Sequence, residues 1–351
     1  MAVLGRRSSD EDYEYVSIWK YNREDYPLLD NRKEVYIDSC GKKLAGYLYE
    51  VDEPQGIVIC AHGMANDSNH DNAEYQNYFV ENGFDVLAID LTGNGNSEGN
   101  PTKGLYQAKY DIIAAIDFVK EYESTKNLKI NLAGHSAGAY GAIMASNERK
   151  VNAVFAMSAY DSPHEVIVEI IRNNIGVLTP IVKPFIEFSL LLFGGKENYQ
   201  KASDVINNNK DTTYFLVHSS IDDYINYERA SLMRYYYEPN FDYTKFDIYN
   251  HEYDERALYY ENKSQYDPQK SDNVYSSMIT WGKHCDTWLS FDSQYYSIGE
   301  FWGVLRTEYD STRHTGSFRD YVFKNGKGRV DREKASEINE ELFSKVIELF
   351  K

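Results

Sequence analysis

The sequence predicts an α/β protein, a mostly parallel sheet with helices on both faces. Two observations predict it. Short, mostly apolar runs at 56–61, 84–90, 128–132, 153–157 and 214–217 have the character of strands buried on both faces. Segments of helical period, at 73–82, 107–122 and 137–147, fall between them, and strands alternating with helices imply βαβ units.

Each element follows in chain order. Residues 1–32 are polar and charged and read as an irregular arm. Apolar residues alternate at 34–39 and 43–50 around Cys40-Gly41, which is a hairpin pattern. The strand–helix alternation then runs to residue 160. It is interrupted at 161–210 by an apolar segment punctuated by Pro180 and Pro184, which reads as two or three short helices. A second interruption, 238–275, is rich in Tyr, Asp, Glu and Asn and has little periodicity. At the end, Ile338, Leu342, Val346, Leu349 and Phe350 mark an amphipathic helix within 331–351.

Composition narrows the function. The 37 basic and 55 acidic residues leave a formal charge of −18, which disfavours nucleic acid or an anionic membrane as the main partner. Three scattered cysteines, Cys40, Cys60 and Cys285, fit neither a disulfide scaffold nor a zinc site. The first fifteen residues hold no apolar leader, and the longest apolar stretch, 185–193, is interrupted by Glu187 and too short to cross a bilayer. A cytoplasmic location and no integral membrane segment are the expectations. No cofactor or metal is expected: there is no dinucleotide loop, and the glycine-rich 93–99 lacks the Lys-Ser/Thr of a phosphate loop. Nothing in the sequence sets an oligomeric state.

The chemistry centres on Gly134-His135-Ser136-Ala137-Gly138, a G-x-S-x-G between an expected strand and an expected helix. That context presents Ser136 on a sharp turn at the positive end of the following helix, with glycines on both sides for close chain passage. His62-Gly63-Met64 follows the strand at 56–61. The Met64 and Ala137 N–H groups are the expected oxyanion hole, a device in which one donor is worth about 2.7–4 kcal/mol in the transition state. His62 itself reads as structural.

These residues resemble the α/β-hydrolase superfamily, in its branch of monoglyceride lipases, lysophospholipase-like esterases and serine aminopeptidases. Three blocks carry the resemblance in order: His62-Gly63, the D-x-x-G-x-G-x-S-x-G of 90–99, and 134–138. It extends over 40–235 and loosens beyond. It implies an eight-stranded, mostly parallel sheet with a helical cap inserted after strand six. The implied layout is an arm at 1–32, a hydrolase core at 33–160 and 211–351, and a cap at 161–210. Asp90 is implied to be structural. The segment 214–225 resembles a strand followed by H-G-x-x-D-x-x-V, which makes Asp222 the triad acid, with Ser219 in place of the glycine and Asp223 its neighbour.

The base must follow the acid in the chain order of this family. His251, His284 and His314 qualify. His284 follows a short strand and Gly282, and is the preferred one, with 238–275 as an insertion before the last strand. His251 has the more usual spacing, and His314 lies in a polar loop. The expected function is serine hydrolysis of a small-molecule carboxylic ester with a small, medium or lipid-like acyl group, through an acyl-enzyme on Ser136. A peptidase, aminopeptidase or acyltransferase would use the same triad on an amide or another acyl acceptor. A non-catalytic ligand-binding protein on the same scaffold is the alternative of another class.

Overall fold

The computed structural model describes residues 8–70, 72–101, 104–220, 222–238, 268–279, 282–312 and 315–351. The hairpin forms as β1 (Arg32–Ser39) and β2 (Lys42–Tyr49), turning at Cys40 and Gly41, both with positive φ. The apolar runs become β3 (Ile57–Ala61), β4 (Asp85–Ile89), β5 (Ile130–His135), β6 (Ala153–Met157) and β7 (Thr213–Ser219). Two further strands, β8 (Pro268–Ser271) and β9 (Val274–Ile279), complete one sheet in the order β1-β2-β4-β3-β5-β6-β7-β9-β8. Pairing is parallel from β4 through β3, β5, β6 and β7 to β9, and antiparallel at both margins.

Among the described residues the sheet has nine strands, where eight were expected. The extra one is β8, inside the segment read as an insertion. A two-residue turn at Asp272-Asn273 folds it back on β9 as a terminal hairpin, with Asp272 at φ 55°.

Alternate side chains of each inner strand enter opposite cores. Ile57, Ile59 and Ala61 of β3 join the core beneath α3 (Gly104–Glu121) and α4 (Ala137–Ser146). Val58 and Cys60 join the one that holds Tyr75 and Phe79 of α2 (Ala73–Glu81). The C-terminal helix, Glu340–Phe350, packs Leu342, Phe343, Val346, Ile347 and Phe350 into this second core. Burial on both faces explains why these strands are nearly all apolar.

Between β6 and β7 lie α5 (Pro163–Ile175), a 3₁₀ turn at Gly176–Leu178, α6 (Thr179–Leu192) and α7 (Ala202–Asn208). The run Pro163–Leu192 is, by length and composition alone, long and apolar enough to cross a membrane. The stretch 185–193 lies only at the end of this run, which extends well upstream of it. α5 is tied to the body through Glu169, which takes a bidentate hydrogen bond from Arg229, and through Asn173, which donates to the Asp223 carbonyl at 3.0 Å.

The arm is not irregular throughout. Ser9 and Asp12 form a capping box that starts α1 (Asp10–Val16), and 3₁₀ turns follow at Arg23–Asp25 and Pro27–Leu29. Near the C-terminus, α8 (Phe291–Tyr296), a π-helical stretch at Ser297–Gly303, α9 (Val304–Ser311) and α10 (Phe318–Asn325) precede α11 (Glu340–Phe350). Ile18 of the arm shares a third, small core with Phe301, Leu305, Tyr321 and Val322.

Candidate active site

Ser136 caps α4 with φ 52° and ψ −110°, a backbone region that a residue with a Cβ adopts only under strain. The surrounding glycines make the turn possible. A Cβ on Gly134 would overlap the Gly138 backbone, and one on Gly138 would overlap the Ala61 carbonyl. The elbow is thereby pressed against the end of β3. A Cβ on Gly63 would lie 2.8 Å from His135 Nδ1 and 3.5 Å from Ser136 Cβ, so the loop carrying Met64 runs beside the serine. Ala137 opens α4, so its N–H has no carbonyl of its own helix to meet.

The structure brings Ser136, Asp222 and His284 together. His284 Nε2 lies 2.9 Å from Ser136 Oγ, and its Nδ1 lies 2.8 Å from Asp222 Oδ2. The other carboxylate oxygen of Asp222 accepts the Tyr224 and Ile225 N–H groups at 2.9 and 2.7 Å. The Asp222 side chain is fully buried. Burial alone would raise its pKa. The facing His284, the neighbouring His218 and the Ile225 N–H outweigh that and hold it at about 2. Asp222 is thus the carboxylate that faces the histidine. Its neighbour Asp223 instead pairs with Lys283 at 3.4 Å. Both His251 and His314 lie outside the described residues.

His62 and Asp90 sit where a structural role requires. His62 Nε2 accepts the Leu91 N–H at 2.9 Å while Nδ1 faces the Gly63 carbonyl at 2.6 Å. Asp90 is buried and accepts from Ser68 N at 2.9 Å and Asn96 N at 2.8 Å, fastening two loops to each other.

Other side chains, unassigned from the sequence, hold the histidine loop. His135 Nε2 and Ser158 Oγ both donate to the His284 carbonyl, at 2.9 and 3.1 Å. Ser219 stands where the resembled motif has glycine, and its hydroxyl donates to the Gly282 carbonyl at 2.7 Å, bridging acid loop to histidine loop. His218 Nε2 donates to the Ile225 carbonyl at 2.9 Å, closing the turn that presents Asp222. Its burial lowers its pKa and keeps it neutral in that role.

Lys20, from the arm, reaches Asp286 Oδ1 at 2.7 Å and the Cys285 carbonyl at 3.3 Å. Burial would lower the Lys20 pKa, but Asp286 and Glu74 more than offset this and keep it charged. A reader of the sequence had one hint of these roles: His135 occupies the variable position inside the serine motif. Among the described residues, no cluster of His, Cys, Asp and Glu could hold a metal ion.

A family model described as serine aminopeptidase, S33, matches residues 52–219, the stretch from β3 through the elbow to the end of β7. The fold is that of the α/β hydrolases. Among solved structures, an esterase of Pyrococcus furiosus is 18% identical, covering 87% of this chain and 94% of its own, with a TM-score of 0.51. An acylaminoacyl peptidase of Pyrococcus horikoshii is 14% identical with a TM-score of 0.51, over 83% of this chain and 44% of its own. A curated relative, a multifunctional-autoprocessing repeats-in-toxin protein of Vibrio cholerae, is 33% identical over 75 residues, 18% of this chain. The match covers 2% of that protein's length.

Proposed function

We propose that this α/β hydrolase is a serine hydrolase that cleaves carboxylic esters through an acyl-enzyme. The observation that carries the reading is the continuous hydrogen-bonded chain from Ser136 Oγ through His284 to Asp222. In this reading Ser136 Oγ attacks the ester carbonyl while His284 Nε2 takes its proton. Asp222 holds the Nδ1–H tautomer and stabilises the imidazolium. The oxyanion develops against the Met64 and Ala137 N–H groups. His284 then returns the proton to the leaving alcohol. Water, activated by the same histidine, attacks the acyl-enzyme, and Ser136 is released with the carboxylic acid.

The helices at 161–210 are read as a cap domain on a hydrolase core of 33–160 and 211–351. The contact of α5 with the acid loop supports that layout. An uncharged acyl group suits an apolar cap and a chain of net charge −18.

A second reading, hydrolysis of an amide at a peptide end, is favoured by the family model's description and by the peptidase neighbour. The same nucleophile serves both.

The test is fluorophosphonate labelling of wild type and Ser136→Ala, followed by turnover of p-nitrophenyl esters of graded chain length beside aminoacyl-naphthylamides. Labelling confined to the wild type and faster ester turnover are expected. Faster naphthylamide turnover would select the peptidase reading. Equal labelling of Ser136→Ala, or a wild type that neither labels nor turns over, would reject both.

A further inference from the structure

The acid loop after β7 carries a side chain that the triad itself does not use. The Tyr224 ring lies against the His284 ring, with centroids 5.3 Å apart and planes 39° from each other. The Tyr224 N–H donates to Asp222 Oδ1 at 2.9 Å, and any residue but proline could supply that bond. The ring needs a reason of its own. It remains 52% exposed, so burial gives it only part of the usual gain.

The residue before it ties the two loops together. The Asp223 carboxylate pairs with Lys283 at 3.4 Å, next to His284, and the Asp223 carbonyl accepts from Asn173 of α5 at 3.0 Å. Tyr224 is thus held between a fixed acid and a fixed base.

The chemistry of His284 changes during the reaction. As Ser136 Oγ bonds to the carbonyl carbon, its proton passes to Nε2 and the ring becomes a cation. A cation within about 6 Å of an aromatic centroid is drawn to the negative face of the ring. A neutral imidazole gains little from the same face. The attraction therefore grows as the barrier is climbed, which is the condition for raising kcat. The face is that of a neutral phenol, because burial, then Cys285, Asp223 and Asp222, raise the Tyr224 pKa.

The groups around His284 leave this role open. Asp222 meets Nδ1, Ser136 meets Nε2, and the His135 ring centroid lies 4.8 Å away. His218, neutral by burial, lies 3.6 Å from the same Asp222 oxygen. In the histidine loop, Lys283 and Asp286 are paired with Asp223 and Lys20, and Cys285 bears on Tyr224. A π face needs no N–H, so Tyr224 adds to the pull of Asp222 without competing for either ring nitrogen.

We propose that Tyr224 is a positioning residue for the base, its ring face holding the His284 imidazolium as it forms. The inference rests on the triad reading above.

The experiment measures kcat and KM against pH on the best p-nitrophenyl ester, for the full chain and its Tyr224→Phe, Tyr224→Trp and Tyr224→Leu variants. Tyr224→Leu should lower the plateau of kcat about three- to tenfold with KM nearly constant. Tyr224→Phe should restore the rate, and Tyr224→Trp should match or exceed it. Losing the ring disfavours the cation, so in Tyr224→Leu the acid limb of kcat/KM should also move to lower pH, by about 0.5–1. Damage to the loop alone would lower the plateau and leave the limb in place, and that result would overturn the proposal. So would Tyr224→Leu equal to Tyr224→Phe, or a raised KM at constant kcat, which would make Tyr224 a wall for substrate. In each of these the triad reading stands if fluorophosphonate labels the wild type and not Ser136→Ala. A wild type that neither labels nor turns over would remove both.

Discussion

Replacing Asp222 by Asn changes one atom and should abolish turnover, for a reason that lies in the acid loop. Asp222 Oδ1 accepts two backbone N–H groups, from Tyr224 and Ile225, at 2.9 and 2.7 Å. In Asp222→Asn only the carbonyl oxygen can accept them, so the amide nitrogen must take the position of Oδ2, 2.8 Å from His284 Nδ1. There it donates, and the histidine must answer with an unprotonated Nδ1. Its proton moves to Nε2, the atom 2.9 Å from Ser136 Oγ that has to accept one. The opposite rotamer sets two amide hydrogens against two N–H donors in a buried turn, which costs about 1–3 kcal/mol for each unmet group. Geometry is preserved and the tautomer is wrong. In the Ser-His-Asp template that loss is worth about 10⁴ in kcat.

The assay is the rate of fluorophosphonate labelling together with kcat on the best p-nitrophenyl ester. Both should fall by about four orders of magnitude while KM changes little. The wild type carries a second signature. Because the folded-state pKa of Asp222 lies at about 2, below its unfolded value, its ionisation stabilises the fold fully above about pH 4. That stabilisation is lost as pH falls towards 2, and Asp222→Asn should lack this part of the acid dependence. A variant that retained more than a tenth of wild-type kcat would refute the assignment of the acid and the tautomer argument together.

Two further expectations concern the support of the site. Lys20→Met leaves Asp286 without its 2.7 Å partner beneath the histidine loop. It should lower kcat by about 10- to 100-fold with KM nearly constant, and stability by about 1–3 kcal/mol, since the pair is partly exposed. Wild-type kcat would show that the arm does not position His284. Gly138→Ala drives a Cβ into the Ala61 carbonyl. Overpacking of this kind costs about 1–3 kcal/mol, and displacement of the neighbouring loop that carries Met64, a proposed oxyanion donor, should slow labelling by about 10²-fold, read by thermal melting and labelling kinetics. An unchanged melting temperature would mean that the elbow and β3 part more easily than the packing implies.

Much of this molecule is legible in the chain because its determinants are local. The strands β3 to β7 are short apolar runs, since both faces of each are buried, and the serine motif needs only a strand, a turn and a helix in succession. Gly134 and Gly138 are readable for the same reason: backbones pass close together there, and only glycine permits it, while at Gly63 a Cβ would meet the His135 ring. The arm was less legible. The capping box of Ser9 and Asp12 is a local signal for α1 that a reading by overall polarity passes over. The edge strand β8 depends on pairing with β9 and has little pattern of its own.

The doubly wound order, and the expectation that Ser136 and Asp222 belong to one site, could be read from the chain alone. The chain order of the resembled family narrows the expected base to His251, His284 and His314. That His284 lies 2.9 Å from Ser136 Oγ and 2.8 Å from Asp222 Oδ2 is seen in the folded chain and not before. The folded chain alone shows that Ser219 bridges to Gly282, and that Lys20 grips the loop from 265 residues away. Hydrogen bonds between residues so distant in sequence leave no periodicity to read. They exist only once burial of the two cores has fixed where each strand ends.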